Sequence, residues 1–247
     1  MIDRIAPTRR PPPDIAPQGY HLWRTLLFMH WAVPVATLRP LVPARLAIDT
    51  HDGVAYVGLV PFTMEGLRPT RFLPPVPGVS AFHEVNVRTY VHLDGKDPGV
   101  WFLSLDAANS LAVRVARRFW NLSYFRADIA LEKGGDRVSY KSARKWPQPT
   151  PATLDLEYTV GEAVGPSEAG SVNHFLAERY FLYCARKDGS LRRGQVHHSP
   201  YALHAASVTR LEESLVGAAK IDCAGPRSVP DLYCPGVDVE VFALEDV

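Results

Sequence analysis

The sequence predicts an α+β fold dominated by a large antiparallel sheet or barrel. Three observations carry this. Strand signals dominate the chain after about residue 48, with clean period-two alternation over 82–93. Turn pairs separate the alternating runs, as at His51-Asp52-Gly53, Gly134-Gly135-Asp136 and Asp188-Gly189. Helix signals are few and short.

Taken in order, residues 1–18 carry charge and proline, including Pro11-Pro12-Pro13, and read as a flexible leader. The remainder, 19–247, reads as one domain. Leu22, Leu26, Met29 and Val33 recur at helical spacing, which predicts a short amphipathic helix over 22–31 that Pro34 ends. A second short helix is expected over 34–41. After a turn at 51–53 a strand follows at 54–64. The alternation over 82–93 is clean: Val85, Val87, Thr89, Val91 and Leu93 share one face, and Glu84, Asn86, Arg88, Tyr90 and His92 the other. A loop at 94–99 leads into a returning strand at 100–107, apolar on both faces and so expected to be central. Ser110 and Ser171 are the expected N-caps of helices at 111–119 and 172–177. Further strands are expected at 124–132, 137–144, 153–160, 179–186, 191–198, 201–211 and 237–244.

Composition excludes several classes. With 27 Lys+Arg against 26 Asp+Glu, the chain lacks the basic excess that nucleic acid or a polybasic membrane contact needs. At 247 residues and 47% hydrophobic it can build a core, so a wholly disordered chain is ruled out. Cys184, Cys223 and Cys234 are too few and too far apart for a disulfide framework or a zinc ribbon, and read as free thiols of a reducing cytosol. The N-terminus has no apolar signal core. The most apolar stretch, 26–38, is broken by His30 and Pro34 and falls short of the roughly 18–20 residues of a membrane helix. A cytoplasmic protein is expected. The 22 prolines cluster at 11–13, 69–77 and 147–151, read as loops.

Glycine-rich phosphate loops, the Gly-x-Ser-x-Gly elbow and the usual zinc-ligand pairs are all missing from the sequence. His197 and His198 are adjacent in an expected strand, so their rings oppose each other rather than sharing a metal. His30, beside Trp31, reads as a core or interface histidine. No metal, nucleotide or bound cofactor is expected. The polar face from Glu84 to His92 has two readings: a solvated sheet face, or the lining of a barrel interior or cleft where a carboxylate and a guanidinium face a small ligand.

Several segments in order resemble a YqjF-like bacterial family of unknown function, in the acetoacetate decarboxylase-like superfamily. They are LRPLVPARLAIDTHDG (38–53), FHEVNVRTYV (82–91), the aromatic-rich run at 116–126, Y-x-S-x-R (140–144) and FLAERY-x-LY (175–183). The resemblance runs from about Tyr20 to about Leu211. It implies a cone-like antiparallel β-barrel with flanking sheet and short helices, holding a pocket for a small carbonyl acid. The decarboxylase uses a Schiff-base lysine activated by a second lysine, with an arginine and two glutamates around it. By that resemblance the pocket arginine falls at Arg24 and one glutamate at Glu84. The second glutamate position holds Val57. The run bearing the lysines falls on Ala116-Arg117-Arg118 to Ser123-Tyr124-Phe125, so both lysines are lost and Tyr124 stands at the nucleophile position.

Tyrosine forms no Schiff base, and none of Lys96, Lys133, Lys141, Lys145, Lys187 and Lys220 takes the role from sequence. Lys141 alternates with Tyr140, Ser142 and Arg144 and should face away from them. Schiff-base decarboxylation is therefore rejected. Glu84 is a candidate general acid or base, or else the partner of Arg88. Tyr124 is a candidate donor to a carbonyl oxygen, or else a core aromatic. Arg24 and Arg144 are candidates to bind an organic acid, or else members of structural salt bridges. Arg117 and Arg179 read as structural pairs with acidic residues. Two functions stay open: an acid–base lyase, hydratase or isomerase on an organic acid, and a non-catalytic ligand-binding protein that kept the fold. Sheet edges favour pairing between copies of the chain, so a homo-oligomer is an expected arrangement.

Overall fold

A computed structural model describes residues 2–147, 151–223 and 225–247; residues 148–150 of the last proline cluster lie outside the described residues. In chain order the strands are β1 (Gly19–Val33), β2 (Ala47–Ile48), β3 (Ala55–Arg68), β4 (Ala81–Leu93), β5 (Lys96–Ala107), β6 (Tyr124–Gly134), β7 (Arg137–Trp146), β8 (Thr153–Gly165), β9 (Phe181–Ala185), β10 (Leu191–His197), β11 (Leu203–Glu213), β12 (Leu232–Val241) and β13 (Glu245–Asp246). The helices are short: α1 (Val35–Leu38), α2 (Ser110–Phe119), α3 (Val172–Ala177) and α4 (Leu215–Ala218).

Two strands act as junctions. One edge of β5 pairs with β4; the other is shared between β9, at Gly99 to Trp101, and β6, at Leu105 to Ala107. One edge of β12 pairs with β1; the other is shared between β11, at Leu232 and Tyr233, and β10, at Glu240 and Val241. Three sets of strands thus join the junctions: β4–β3–β1, β9–β10 and β6–β7–β8–β11. The hydrogen-bonded pairings close on themselves. The sheet is mostly antiparallel, but β5 pairs in parallel with both β6 and β9, which corrects the expectation of a purely antiparallel sheet. The first exception follows from α2, which carries the chain back before β6 begins, as a parallel connection requires.

This branching puts the β4–β3–β1 wall between two cores. On one side Leu27, Met29, Leu59, Val85 and Val87 pack with Tyr140, Leu154, Leu156 and Tyr158 of the longer set. On the other, Phe28, Val60 and Phe62 pack with Val196 of β10 and Val113 of α2. The first ten residues of β3 are accordingly all buried.

The segment expected as a helix over 22–31 is β1. Both of its faces become buried, so strand alternation is masked by a continuous apolar run. A bulge then shifts the phase. Thr25 has φ 54°, and five steps from Arg24 to Met29 face four from Thr63 to Leu59. The extra residue produces the helix-like spacing.

Other elements stand where expected, with local corrections. The cap of α2 is Asn109, whose side chain accepts from the Leu111 and Ala112 N–H groups; Ser110 instead accepts from Arg126 Nε. Ser171 caps α3 by accepting from the His174 N–H. Arg179 and Tyr180 precede β9 rather than opening it. Along β7, Tyr140, Ser142 and Arg144 are buried and Lys141 is exposed. Near the N-terminus, Arg4 pairs with Asp49 at 2.5 Å and Arg10 with Glu240 at 2.6 Å. All three cysteines are free thiols. Among the described residues no helix is long and apolar enough to cross a membrane.

Gly99 shows how tightly the β5 junction is closed. A Cβ there would sit 2.6 Å from the Phe181 carbonyl oxygen and 2.9 Å from its Cβ. Gly99→Ala is expected to lower stability by about 1–3 kcal/mol, read as a reduced urea midpoint at unchanged m value.

Candidate functional site

Register decides which side chains meet. Glu84 of β4 is opposite Phe62 on one side and Ala107 on the other, and Leu105 is opposite Tyr124. Opposed residues project to the same face of a sheet, so Glu84 and Tyr124 share one. The Tyr124 hydroxyl donates to Glu84 Oε2 at 3.0 Å. Arg117 holds the start of β6 by donating to the Tyr124 carbonyl at 2.6 Å.

Both groups are out of water. Glu84 is 2% exposed. Burial pushes its carboxyl up to about 8; the Tyr124 hydrogen bond opposes this and the Asp106 charge adds to it. Burial, then Glu84 itself, puts the Tyr124 hydroxyl well above the usual phenol range. At neutral pH the pair is uncharged and Glu84 holds a proton.

The same face of β4 continues through Asn86, Arg88 and Tyr90. Asn86 is buried and its Oδ1 has no hydrogen-bond partner. Arg88 is also buried. It donates from Nη2 to the Leu176 carbonyl at 3.1 Å and lies 5.6 Å from the Phe28 ring centre and 5.7 Å from that of Tyr90. Among the described residues no carboxylate pairs with it, and its Nε has no hydrogen-bond partner. The solvated reading of this face is overturned, and so is the pairing of Glu84 with Arg88. Tyr90 donates to the Leu176 carbonyl at 2.9 Å, so the 2.6 Å contact between its oxygen and His30 Nε2 has the imidazole donating. Burial, then the Arg88 charge, holds His30 well below the usual histidine range and therefore neutral.

The two arginines expected to bind an acid stand elsewhere. Arg144 forms a two-pronged pair with Asp106, 2.7 Å in each prong, and lies 3.6 Å over Phe125. Asp106 is opposite Val85, on the other face of the wall from Glu84. Arg24 is opposite Thr63, on the His83 face, and donates to the Val237 carbonyl at 2.9 Å and to Asp238 at 2.7 Å. Arg179 pairs with Asp49 at 2.8 Å. The sequence offered Arg88 either as the guanidinium of a ligand-lining face or as a partner for Glu84, and did not place it among the acid-binding arginines. The signal that finds it is a polar face on a strand beside one apolar on both sides. Glu178 was not singled out; it accepts from the Tyr180 hydroxyl and the Tyr201 N–H, and burial raises its carboxyl. All six lysines are exposed. No group of three metal-ligating side chains gathers among the described residues.

Residues 21–238 match the DUF2071 family of uncharacterized conserved proteins. The chain belongs to this family. It is 43% identical over 211 residues to the uncharacterized protein YqjF of Bacillus subtilis (strain 168), covering 85% of this chain and 84% of that one. Its fold is similar to an acetoacetate decarboxylase-like enzyme from Sphingomonas wittichii RW1 (TM-score 0.64, 13% identity, 97% and 96% of the two chains). It is likewise similar to acetoacetate decarboxylase from Legionella pneumophila (TM-score 0.61, 12% identity, 98% and 92%). A third similar structure is the enduracididine biosynthesis enzyme MppR complexed with pyruvate (TM-score 0.62, 13% identity, 94% and 91%). At these identities the likeness is one of fold.

The Glu84 environment makes stability depend on pH. Its folded carboxyl titrates near 8 against an ordinary value of 4.5, so the native state binds the proton more tightly. The contribution is complete below the ordinary value and is lost as pH rises towards 8. Stability is expected to fall over this interval by up to about 1.4 kcal/mol per pH unit. Urea midpoints between pH 5 and pH 8 should flatten in Glu84→Gln; an equal slope in both proteins would refute the assignment.

Proposed function

We propose that this chain takes up a small organic acid inside the closed circuit of strands, which works as a cone-like barrel. Arg88 receives the acid's carboxylate, and Glu84 with Tyr124 supplies acid–base chemistry of the lyase, hydratase or isomerase kind. One observation carries the reading. A single buried strand face bears a protonated carboxyl, an amide oxygen without a partner and a guanidinium without a carboxylate. Buried cations normally have a counter-charge, and buried polar atoms a partner. A carboxylate ligand supplies the counter-charge to Arg88, and a hydroxyl on the same ligand would donate to the amide oxygen.

In this reading Glu84 gives its proton to an oxygen of the bound acid, a carbonyl or a departing hydroxyl. The resulting carboxylate keeps the Tyr124 hydrogen bond, which strengthens as charge develops on the acceptor. Glu84 later recovers a proton from the product side or from water. Schiff-base decarboxylation is set aside, because Tyr124 stands at the implied lysine position and all six lysines are exposed, outside the buried face.

Calorimetric titration of the full chain with a panel of small keto and hydroxy acids, pyruvate included, tests the uptake. Arg88→Gln should weaken binding by roughly tenfold or more, with Arg88→Lys intermediate and a thermal melt reporting on folding. No binding by any member, or equal binding by folded Arg88→Gln, would sink the reading. Where an acid binds, NMR of the mixture reports turnover. Glu84→Gln should abolish turnover while leaving binding in place, and turnover should decline above about pH 8. Binding without turnover favours the non-catalytic member of the pair of functions.

A further inference from the structure

A second site lies outside this interior. A cleft of about 530 Å³ opens between the start of β1, the end of β3, the end of β12 and the segment after β10. Arg10, Arg68 and Arg71 line it, with Asp238 and Glu240 as its carboxylates. Asp238 is engaged by Arg24 at 2.7 Å. Glu240 is shared by Arg10 and Arg71, so two guanidinium groups rest on one carboxylate. Arg68 forms no ion pair among the described residues. Three arginines against the one remaining carboxylate leave the cleft with a cationic excess.

The polar atoms in its wall add an independent sign. Arg68 Nε, His21 Nδ1 and His198 Nε2 are buried without hydrogen-bond partners, and so is Nε1 of Trp23, whose ring lies 5.9 Å from that of His198. Such orphans are rare in folded proteins, and Arg68 Nε, the orphan guanidinium donor among the residues lining the cleft, calls for an acceptor. Arg68 Nε and Trp23 Nε1 are donors and want an acceptor. His198 Nδ1 lies 2.7 Å from the Ser199 carbonyl, so that nitrogen carries the hydrogen and Nε2 is a lone pair. Burial holds both histidines near 4, so they stay neutral and add no charge of their own.

We propose that this cleft is a binding site for an oxyanion carried by a small molecule, with Arg68 as its principal ligand. The acceptor oxygens satisfy the Arg68 donor, and the anion balances the cationic excess. Phosphate and carboxylate groups share this chemistry. The site is separate from the interior face of β4: Trp23 lies edge-on to Phe62, which is opposite Glu84, and stands between the two.

The experiment is calorimetric titration of the full chain at low ionic strength with inorganic phosphate and, separately, with malonate. One anion or both should bind at a single site. Phosphate alone points to a phosphorylated ligand, and malonate alone to a polycarboxylate. Arg68→Gln should weaken binding at least about tenfold, and Arg68→Lys less. Arg88→Gln, at the interior site, and Lys187→Gln, in an exposed turn, should leave it unchanged. Circular dichroism confirms that each variant folds. The proposal is overturned if neither anion binds below about 10 mM. Arg68→Gln binding as wild type, or Arg88→Gln removing the binding instead, would overturn it equally.

Discussion

The branching at β5 and β12 is the constraint on which the molecule depends. Each junction strand pairs along one whole edge and divides its other edge between two neighbours. The wall between the junctions therefore has covered sheet on both sides, and no residue of the middle of β4 can face water. In an ordinary antiparallel sheet one face stays wet, and a row of Glu, Asn and Arg there costs little. Here the same row is desolvated. Each buried polar atom without a partner costs on the order of 1–3 kcal/mol, and a buried charge without a counter-charge costs more. The fold keeps this row although apolar residues would pack in its place without that cost.

How the chain treats its other buried charges sharpens the point. Arg144 is answered by Asp106 in two-pronged geometry. Arg179 is answered by Asp49, whose carboxyl burial alone would raise but which Arg4 and Arg179 together hold below the usual range. These pairs have the hydrogen bonds that make a buried ion pair tolerable. Arg88 has a carbonyl and two aromatic rings, which stabilise a cation without neutralising it. A chain that supplies carboxylates to two buried arginines supplies none to this third one, and that contrast is what the proposed uptake of an anion rests on.

Much of this was legible in the sequence, and what was not has identifiable causes. The period-two pattern over 82–93 places β4 and assigns its faces, because alternation is a local property. The doubly apolar run at 100–107 marks β5 as central for the same reason. β1 was illegible as a strand because burial on both faces erases alternation and the bulge at Thr25 rephases it. The meeting of Glu84 with Tyr124 depends on a parallel pairing across a helix, which no local pattern reports; only the family resemblance brought the two positions together. For Arg24 and Arg144 the choice between binding an acid and a structural salt bridge stayed open in the sequence, because Asp238 and Asp106, far from them along the chain, meet them only in the fold. Arg88 was visible on the right face, but nothing local showed that its neighbours would leave it without a carboxylate.

If Tyr124 stands where the family resemblance implies a lysine, the exchange changes the electrostatic logic of the site rather than merely disabling it. A Schiff-base lysine must be driven to its neutral form, which burial and a neighbouring cation achieve by lowering its pKa. A carboxyl beside it would work against that end by stabilising the ammonium. With Tyr124 in that place the conflict disappears. Burial raises the pKa of both groups; Glu84 adds to the rise at Tyr124, while the Tyr124 hydrogen bond only partly offsets the rise at Glu84. The desolvation that would make a lysine a nucleophile makes Glu84 a neutral acid at physiological pH. A neutral acid can coexist with an unneutralised guanidinium farther along the same face, whereas an ionised Glu84 would compete with an anionic ligand for it. In the proposed function, a protonated Glu84 is both the proton donor and the reason Arg88 stays open to a carboxylate.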